Sequence, residues 1–330
     1  MQPMTVKEIA QAVDGVWWNP REGAEPVSSV CTDSRSVQPG SLFIPWKGER
    51  FDGHNFIDAA LAGAAGCLCA KLPADLRPDK FYIKVDDTRL ALKALASYYR
   101  DRFQIPFVQI TGSVGKTTTK EMIAAVLGAK YRVLKTPENF NNDIGTPLTL
   151  LQLRPEHEAA VIETGMNHFG EIAYLGEMVR PDIAVISNIG DAHIEFLGSR
   201  EGILKAKSEI FQNLKPDGVA ILNGDDPLLN GLDLPFTTIR CGQSAHCNVR
   251  VTDILDHGVA GITCTVTTAR DTYVLRIPAP GEHMVYSASM AVAIAELLHL
   301  NHAEIIRGVE AYQPAGSRMR VIQLPEERCI

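Results

Sequence analysis

Residues 110–119 combine glycines, a lysine and a run of threonines between a β-rich segment and a helical segment. Glycines in such a loop let backbone amide groups close around phosphates at the N-terminus of a helix. Lys116 would add a positive charge, and the hydroxyl of Thr117 suits Mg²⁺. Ile110 stands where a Walker A motif has its first glycine, so the match to that motif is incomplete.

An ordinary glycine turn at the start of a helix is the alternative to a phosphate loop. We favour the phosphate loop because Gly-Lys-Thr lies between a strand-like run and a helix-like run, and we expect ATP or GTP as the ligand. The nucleotide-binding residues predicted from this segment are Gly112, Ser113, Val114, Gly115, Lys116, Thr117 and Thr118.

Two polar residues follow apolar runs that are typical of buried strands. Glu163 comes directly after 159–162, and His193 follows 183–186 by a short loop. In an open parallel sheet the carboxyl ends of the strands lie beside the phosphate loop, so both side chains could reach a bound metal and nucleotide. Taken singly, each is also explained as a capping or solvated residue. Because both fall where the loop would lie, we predict one shared site.

Lys207 lies on the apolar face of a helix predicted over 200–214. At about 100° per residue it shares that face with Ile203, Ile210 and Leu214. A lysine is rarely buried without a partner. One explanation is that the Lys207 side chain extends to the surface or pairs with a carboxylate. The other is that burial lowers the pKa of Lys207 and permits covalent modification of its amine. Both interpretations stay open on the residues alone.

The order of the predicted elements is typical of an α/β protein. Residues 1–84 alternate short strand-like runs with turns, which predicts a small α/β N-terminal domain. The predicted central domain spans 85–313, begins with a helix over 86–102, and then alternates strands and helices. Such alternation predicts a P-loop-type domain with a mostly parallel sheet flanked by helices. The β-branched alternation over 248–277 predicts an antiparallel insertion or edge.

Composition and charge exclude several classes of protein. The chain has 330 residues, 45% hydrophobic and 22% charged, which suffices for about two packed domains. With 32 basic and 39 acidic residues the net charge is −7, so no nucleic-acid partner is expected. No apolar run is long enough for a bilayer, so we expect no membrane insertion and a cytoplasmic location. Seven cysteines without a C-x-x-C pair suit a reduced compartment.

Several motifs together closely resemble those of the Mur ligases. In the central domain they are Thr111-Gly112-Ser113-x-Gly115-Lys116-Thr117-Thr118-Thr119-Lys120-Glu121, Asn139-Phe140-Asn141-Asn142, Glu163-x-Gly165-Met166-Asn167-His168, Asn188-Ile189-Gly190-x-Ala192-His193 and Ala206-Lys207-Ser208-Glu209. In the N-terminal domain they are Thr32-Asp33-Ser34-Arg35 and Asp52-Gly53-His54-x-Phe56. The Asn-Phe-Asn-Asn and Gly-Met-Asn-His segments are similar to those of the members that add a dipeptide rather than a single amino acid.

The resemblance implies an ATP-dependent ligase of peptidoglycan precursor synthesis. Its substrates would be UDP-MurNAc-tripeptide and D-Ala-D-Ala, joined through an acyl phosphate. The implied fold has an N-terminal domain that binds the UDP end of the substrate, a central ATPase domain and a C-terminal domain shaped like a dinucleotide-binding fold. ATP and Mg²⁺ are the implied cofactors.

The resemblance also implies roles for single residues. Lys116 would bind the β- and γ-phosphates, and Thr117 and Glu163 would hold a first Mg²⁺. His193 and Lys207 would hold a second one. In the family the lysine at the position of Lys207 is carbamylated, which turns a buried cation into an anion. Lys116, Glu163, His193 and Lys207 are therefore the expected catalytic residues.

Further contacts follow from the resemblance, together with two departures from the family pattern. Arg318 would reach the phosphates of ATP, and the expected substrate-binding residues are Ser34, Arg35, His54, Asn139, Asn141 and Asn142. Val114 replaces a common asparagine of the loop. Residues 281–287 depart from the pattern Gly-x-His-Asn-x-x-Asn, which argues against nucleotide contacts over 284–287.

Two other functions remain as alternatives. One is a ligase of the same superfamily, such as a folylpolyglutamate-like synthetase, which the N-terminal motifs disfavour. The other is a catalytically incomplete fragment that binds nucleotide and the UDP-sugar peptide. We expect residues 314–330 to begin a connection to a missing C-terminal domain, because the resemblance implies that an Asp-Ser-Tyr-Asn-like segment should come directly after Ile330. Ligation by this chain alone would then be weak or absent.

Overall fold

Residues 1–18, 25–48 and 51–314 are described by a computed structural model. Their contacts divide the chain into two units. The first contains Met1–Gln104 and Pro147–Pro155, and the second contains Ile105–Thr146 and the described residues from Glu156 onward. The boundary predicted at residue 84 stays a prediction, and the helix that follows it groups with the first unit.

Five strands in the described part of the first unit form a sheet in the order β1-β5-β4-β3-β2. The elements of this unit are α1 (Val6–Ala12), β1 (Val16–Trp18), β2 (Ser29–Cys31), β3 (Ser41–Phe43), α2 (Ile57–Ala60), β4 (Gly66–Cys69), β5 (Phe81–Lys84) and α3 (Thr88–Arg100). The strands pair in parallel except for β1, which runs antiparallel to β5. Asp87 begins α3 because its carboxylate accepts hydrogen bonds from the amides of Arg89 and Leu90.

The described part of the second unit contains a nine-stranded sheet in the order β14-β13-β12-β11-β10-β9-β6-β8-β7. The remaining elements of the chain are β6 (Phe107–Thr111), α4 (Lys116–Leu127), β7 (Val133–Lys135), α5 (Gly145–Leu150), β8 (Ala159–Glu163), α6 (Glu171–Val179), β9 (Ile183–Ile186), α7 (Ile194–Leu197), α8 (Arg200–Ser208), β10 (Val219–Asn223), α9 (Pro227–Asn230), β11 (Thr237–Gly242), β12 (Val249–Asp256), β13 (Ile262–Thr267), β14 (Thr272–Ile277), α10 (Met284–Leu297) and α11 (His302–Glu310). The strands from β7 to β12 pair in parallel, whereas β12, β13 and β14 pair antiparallel. The predicted α/β class, with its mostly parallel central sheet, is confirmed.

In the sheet, strand β6 lies between β8 and β9, and both of these strands come after β6 in the sequence. The strand order therefore reverses at β6. A crevice forms at such a reversal of strand order, outside the carboxyl ends of the strands. The loops after β6, β8 and β9 carry residues 112–115, 164–170 and 187–193, so the polar motifs meet at one edge of this sheet.

The helix predicted over 200–214 is shorter than expected. Helix α8 ends at Ser208, and a 3-10 turn continues over Glu209–Asn213. The predicted apolar face is nevertheless present, because Ile203, Lys207, Ile210 and Leu214 are all buried.

Among residues 1–18, 25–48 and 51–314, no helix combines the length and apolar character that a membrane span requires.

Candidate active site

The loop between β6 and α4 has the geometry of a phosphate loop. Gly115 directly precedes α4 with a φ of 75°, a conformation that favours glycine. A Cβ atom on Gly112 would lie 2.0 Å from the Ser187 hydroxyl, so a larger residue would clash there. The first amides of a helix have no partner within the helix and favour negative charge. These features support the predicted contacts of residues 112–118 with phosphates.

Asn188 holds this loop from the neighbouring strand end. Its side-chain oxygen accepts from the Val114 amide at 3.0 Å, and its side-chain nitrogen donates to the Val114 carbonyl at 3.0 Å. These contacts involve only the backbone of residue 114, whose side chain is exposed. Valine therefore replaces the common asparagine without loss of the contacts that shape the loop. Sequence reasoning missed this role of Asn188, although the residue stands in a quoted motif.

Glu163 is 1% exposed and receives side chains from two other elements. Its Oε1 accepts from the Asn141 side-chain amide at 2.8 Å and from the Thr117 hydroxyl at 3.3 Å. Its Oε2 is buried without a hydrogen-bond partner. Buried polar atoms are normally satisfied, and carboxylate and hydroxyl oxygens are the ligands that Mg²⁺ prefers. Thr117 and Glu163 therefore fit a divalent cation.

Lys207 is 1% exposed, and the described residues give its ammonium group neither a hydrogen bond nor an ion pair. Burial, with the positive charge of Lys116, lowers the pKa of Lys207 to about 7. Burial, followed by the charges of Lys207 and Lys116, also lowers the pKa of His193. A neutral imidazole has a lone pair for a metal. The structure thus places these three basic groups in one neighbourhood, where an anionic ligand would offset their mutual repulsion.

The Lys116 amine turns back onto its own loop. It donates to the carbonyl oxygens of Gly112 at 2.9 Å and of Ser113 at 3.4 Å. The predicted substrate-binding asparagines have different surroundings. Asn139 is exposed, whereas the Asn142 side chain accepts from the amides that begin α5, at 2.8 Å from Gly145. Of the three, Asn141 is the one with a described hydrogen bond to Glu163.

The predicted substrate-binding residues of the first unit are held by local contacts. Hydrogen bonds from Arg35 lower the pKa of Asp33 to about 2, and the Arg35 side chain is 88% exposed. Half-buried Ser34 lies between them in the chain. The His54 ring uses both nitrogens, with Nδ1 2.7 Å from Asp52 and Nε2 accepting from the Ala70 amide at 3.0 Å.

Arg318, predicted to reach the phosphates of ATP, lies outside the described residues.

Two buried charged residues, Glu209 and Lys120, have structural roles that the sequence did not predict. Glu209 accepts from the amides of Gly170 at 2.7 Å and Ala173 at 3.3 Å, and so holds the N-terminus of α6. Lys120 is fully buried beside Glu163. Both stand in quoted motifs, and their burial against partners distant in sequence leaves no periodic pattern.

Comparison with known proteins gives matches to two family models. A model described as "Mur ligase family, catalytic domain" matches residues 26–100, and one described as "Mur ligase middle domain" matches residues 110–295. The UDP-N-acetylmuramoyl-tripeptide–D-alanyl-D-alanine ligase of Bacillus subtilis (strain 168) is 41% identical over 320 residues. That match covers 97% of this chain and 69% of the relative.

Solved structures are similar over nearly the same extent. A crystal structure of MurF from Acinetobacter baumannii has a TM-score of 0.92 and 35% identity, covering 99% of this chain and 72% of that one. MurF ligase from Thermotoga maritima in complex with ADP has a TM-score of 0.79 and 27% identity, covering 89% of this chain and 68% of that one.

Proposed function

Because the chain belongs to the Mur ligase family, we propose that it joins D-alanyl-D-alanine to UDP-MurNAc-tripeptide in an ATP-dependent step of peptidoglycan precursor synthesis. The observation that supports this proposal is that the phosphate loop, Glu163 and His193 lie at or just after the carboxyl ends of three neighbouring strands, β6, β8 and β9. Burial, followed by the charges of Lys207 and Lys116, lowers the pKa of His193 there. The names of the relatives support the substrates, and the ADP complex of a relative supports the nucleotide. A cytoplasmic location is part of the proposal.

The proposed chemistry explains why ATP is needed. A carboxylate is a poor electrophile, so the terminal carboxylate of the tripeptide first takes the γ-phosphoryl group and ADP leaves. The amine of D-Ala-D-Ala then attacks the carbonyl carbon of this acyl phosphate, inorganic phosphate leaves, and the amine loses a proton. Phosphoryl transfer depends mainly on positioning and on positive charge near the transferred group. The α4 N-terminus and Lys116 supply that charge.

Mg²⁺ is the metal that we propose for this site, because the Thr117 hydroxyl and the Glu163 carboxylate offer hard oxygen donors. Thr117 and Glu163 would hold one ion, and His193 with Lys207 a second. A bound Mg²⁺ would neutralise charge on the phosphates. The buried Oε2 atom of Glu163, which lacks a hydrogen-bond partner, supports the first of these positions.

We propose that Lys207 carries a carbamate when it serves as a ligand. Its neutral amine forms an N–C bond with CO₂ and releases one proton, which converts a cation into a carboxylate-like anion. A lysine that is 1% exposed, has a lowered pKa and lacks a described partner is suited to this reaction. Asn139, Asn141 and Asn142 are proposed to face the substrate, as are Ser34, Arg35 and His54 of the first unit.

The test is to incubate the chain with ATP, Mg²⁺, UDP-MurNAc-tripeptide and D-Ala-D-Ala, and to identify the product by mass spectrometry. Formation of UDP-MurNAc-pentapeptide, even at a low rate, with phosphate release that requires D-Ala-D-Ala supports the proposed ligation. Calorimetric titrations with ATP and with the UDP-substrate accompany the assay. Binding of both without product would favour the binding-only alternative, and binding of neither would contradict both functions.

A further inference from the structure

Lys120 is a fully buried cation one helical turn after Lys116 on α4. Its ammonium group donates to the carbonyl oxygens of Thr136 at 2.7 Å and Glu138 at 2.9 Å. Two carboxylates also flank it, with Glu121 Oε1 at 3.1 Å and Glu163 Oε2 at 3.7 Å. Burying a charge is very unfavourable without such partners, so the surroundings determine where this ammonium group lies.

The backbone segment that Lys120 holds leads directly to the asparagines of the proposed substrate segment, residues 139–142. Glu138 has a φ of 44°, which is uncommon for a residue with a side chain and needs support from its surroundings. The Thr136 hydroxyl accepts from the Glu163 amide at 2.9 Å, and the Asn141 carbonyl accepts from the Gly165 amide at 2.8 Å. The segment is thereby attached to the end of β8 at two points.

The distance from Lys120 to Glu163 is also informative. At 3.7 Å the ammonium group is too far from Oε2 for a hydrogen bond but close enough to supply the opposite charge that a buried carboxylate needs. The oxygen is therefore charge-compensated and still has no hydrogen-bond partner. This combination suits a metal ligand, because a donor bound to Oε2 would compete with the ion.

We propose that Lys120 is a positioning residue, which fixes both the Glu163 carboxylate and the substrate segment 139–142 through a single ammonium group. The inference rests on the proposed function, since it takes Glu163 as a metal ligand. Removal of groups that orient a metal ligand typically weakens metal binding by about 10- to 100-fold. Lys120 should act on metal affinity through Glu163 and have little effect on nucleotide binding without metal.

The chain offers a matched control at the other end of the same group of charges. Lys135 pairs with Glu121, which in turn faces Lys120, but the Lys135 side chain is 47% exposed. Exposed ion pairs contribute little, so Lys135→Met should change metal affinity by about twofold or less. Lys120→Met removes the buried charge at similar length, and Lys120→Arg retains it.

In the first experiment, Mn²⁺ is titrated into the protein in the presence of ADP, and binding is measured by electron paramagnetic resonance. In the second, ADP is titrated without metal, and binding is measured by calorimetry. Lys120→Met should lower Mn²⁺ affinity by about tenfold or more while metal-free ADP affinity stays nearly unchanged. Lys120→Arg should recover part of the loss. Circular dichroism checks the fold, and if Lys120→Met does not fold, Lys120→Gln carries the test because its amide can still donate to Thr136.

Glu163→Gln separates failure of this inference from failure of the proposed function. If the unsubstituted chain binds no Mn²⁺ with ADP, or if Glu163→Gln binds it equally well, the proposed metal site is wrong. If Glu163→Gln loses the metal but folded Lys120→Met and Lys120→Gln keep it, Lys120 does not position Glu163. A parallel loss of metal-free ADP binding in the Lys120 variants would also overturn the inference, because it would indicate general damage to the unit.

Discussion

The Asn141 side-chain amide donates a 2.8 Å hydrogen bond to Glu163 Oε1, so a residue proposed to face the substrate contacts the carboxylate proposed to hold the metal. The same oxygen accepts from the Thr117 hydroxyl of the phosphate loop at 3.3 Å. A Cβ atom on Gly165 would lie 3.0 Å from the Asn141 oxygen, so glycine permits this approach. One oxygen of the Glu163 carboxylate therefore connects Thr117, next to the phosphate loop, with Asn141 of the substrate segment.

Replacing Asn141 should weaken metal binding and substrate binding together. Asn141→Ala removes a hydrogen bond to a charged group, worth about 1.5–3 kcal/mol, so Mn²⁺ affinity with ADP should fall by roughly tenfold or more. Asn139→Ala is the matched comparison, because Asn139 is exposed and has no described contact with Glu163. It should weaken only the binding of UDP-MurNAc-tripeptide. Equal metal affinities in the two variants would contradict the role given to Asn141.

Lys116→Ala should lower the affinity for ATP with Mg²⁺ by about tenfold or more, because it removes charge-assisted contacts worth about 1.5–3 kcal/mol each. The control is Lys205→Ala, since Lys205 is exposed on α8 and its amine lies 5.7 Å from the Phe169 ring. Calorimetric titration measures both variants. Unchanged ATP affinity in Lys116→Ala would mean that the loop does not bind phosphates through this lysine.

Much of the second unit was predictable because its parallel strands are buried on both faces. Such strands appear as continuous apolar runs, and the predicted runs 159–162 and 183–186 lie in β8 and β9. The end of α8 was not predictable, since the apolar spacing that buries Ile210 and Leu214 is satisfied equally by a 3-10 turn. Periodicity reports which side is buried and is less informative about how the backbone hydrogen bonds continue.

The candidate site was predictable only in part. Glu163 and Lys207 stand out because a polar residue interrupts an apolar pattern. Lys120 does not, because it lies among threonines on α4 and its carbonyl partners are 16 and 18 residues away. Asn188 contacts the backbone of Val114, which is 74 residues away in the sequence. A contact to backbone does not depend on the side chain of its partner, so it cannot be predicted from the pattern of side chains. Such contacts are visible only in three dimensions.

Lys207 should form a carbamate whose amount depends on pH. Only the neutral amine reacts with CO₂, and the pKa of Lys207 is lowered to about 7, so the neutral fraction grows as pH rises through that value. With ¹³C-bicarbonate and Mg²⁺, we expect a carbamate resonance that increases from slightly acidic to slightly alkaline pH. Lys207→Met should lack it, whereas Lys205→Met should retain it. A resonance that survives in Lys207→Met would belong to another amine.

Lys207→Met should also stabilise the fold in metal-free and CO₂-free buffer. The pKa of Lys207 falls from 10.5 to about 7 on folding, so between these values the unfolded chain binds a proton that the folded chain does not. Stability is therefore lost as pH falls from 10.5 towards 7, and the loss is complete below about 7. Methionine carries no charge, so Lys207→Met removes this pH-dependent loss of stability. The free energy of unfolding should therefore rise by about 1–2 kcal/mol at neutral pH and by less near pH 10. Urea denaturation at both pH values measures this difference, with Lys205→Met expected to show none. A gain that is equal at both pH values would come from packing alone, and a loss at neutral pH would mean that the ammonium group has a partner that stabilises it.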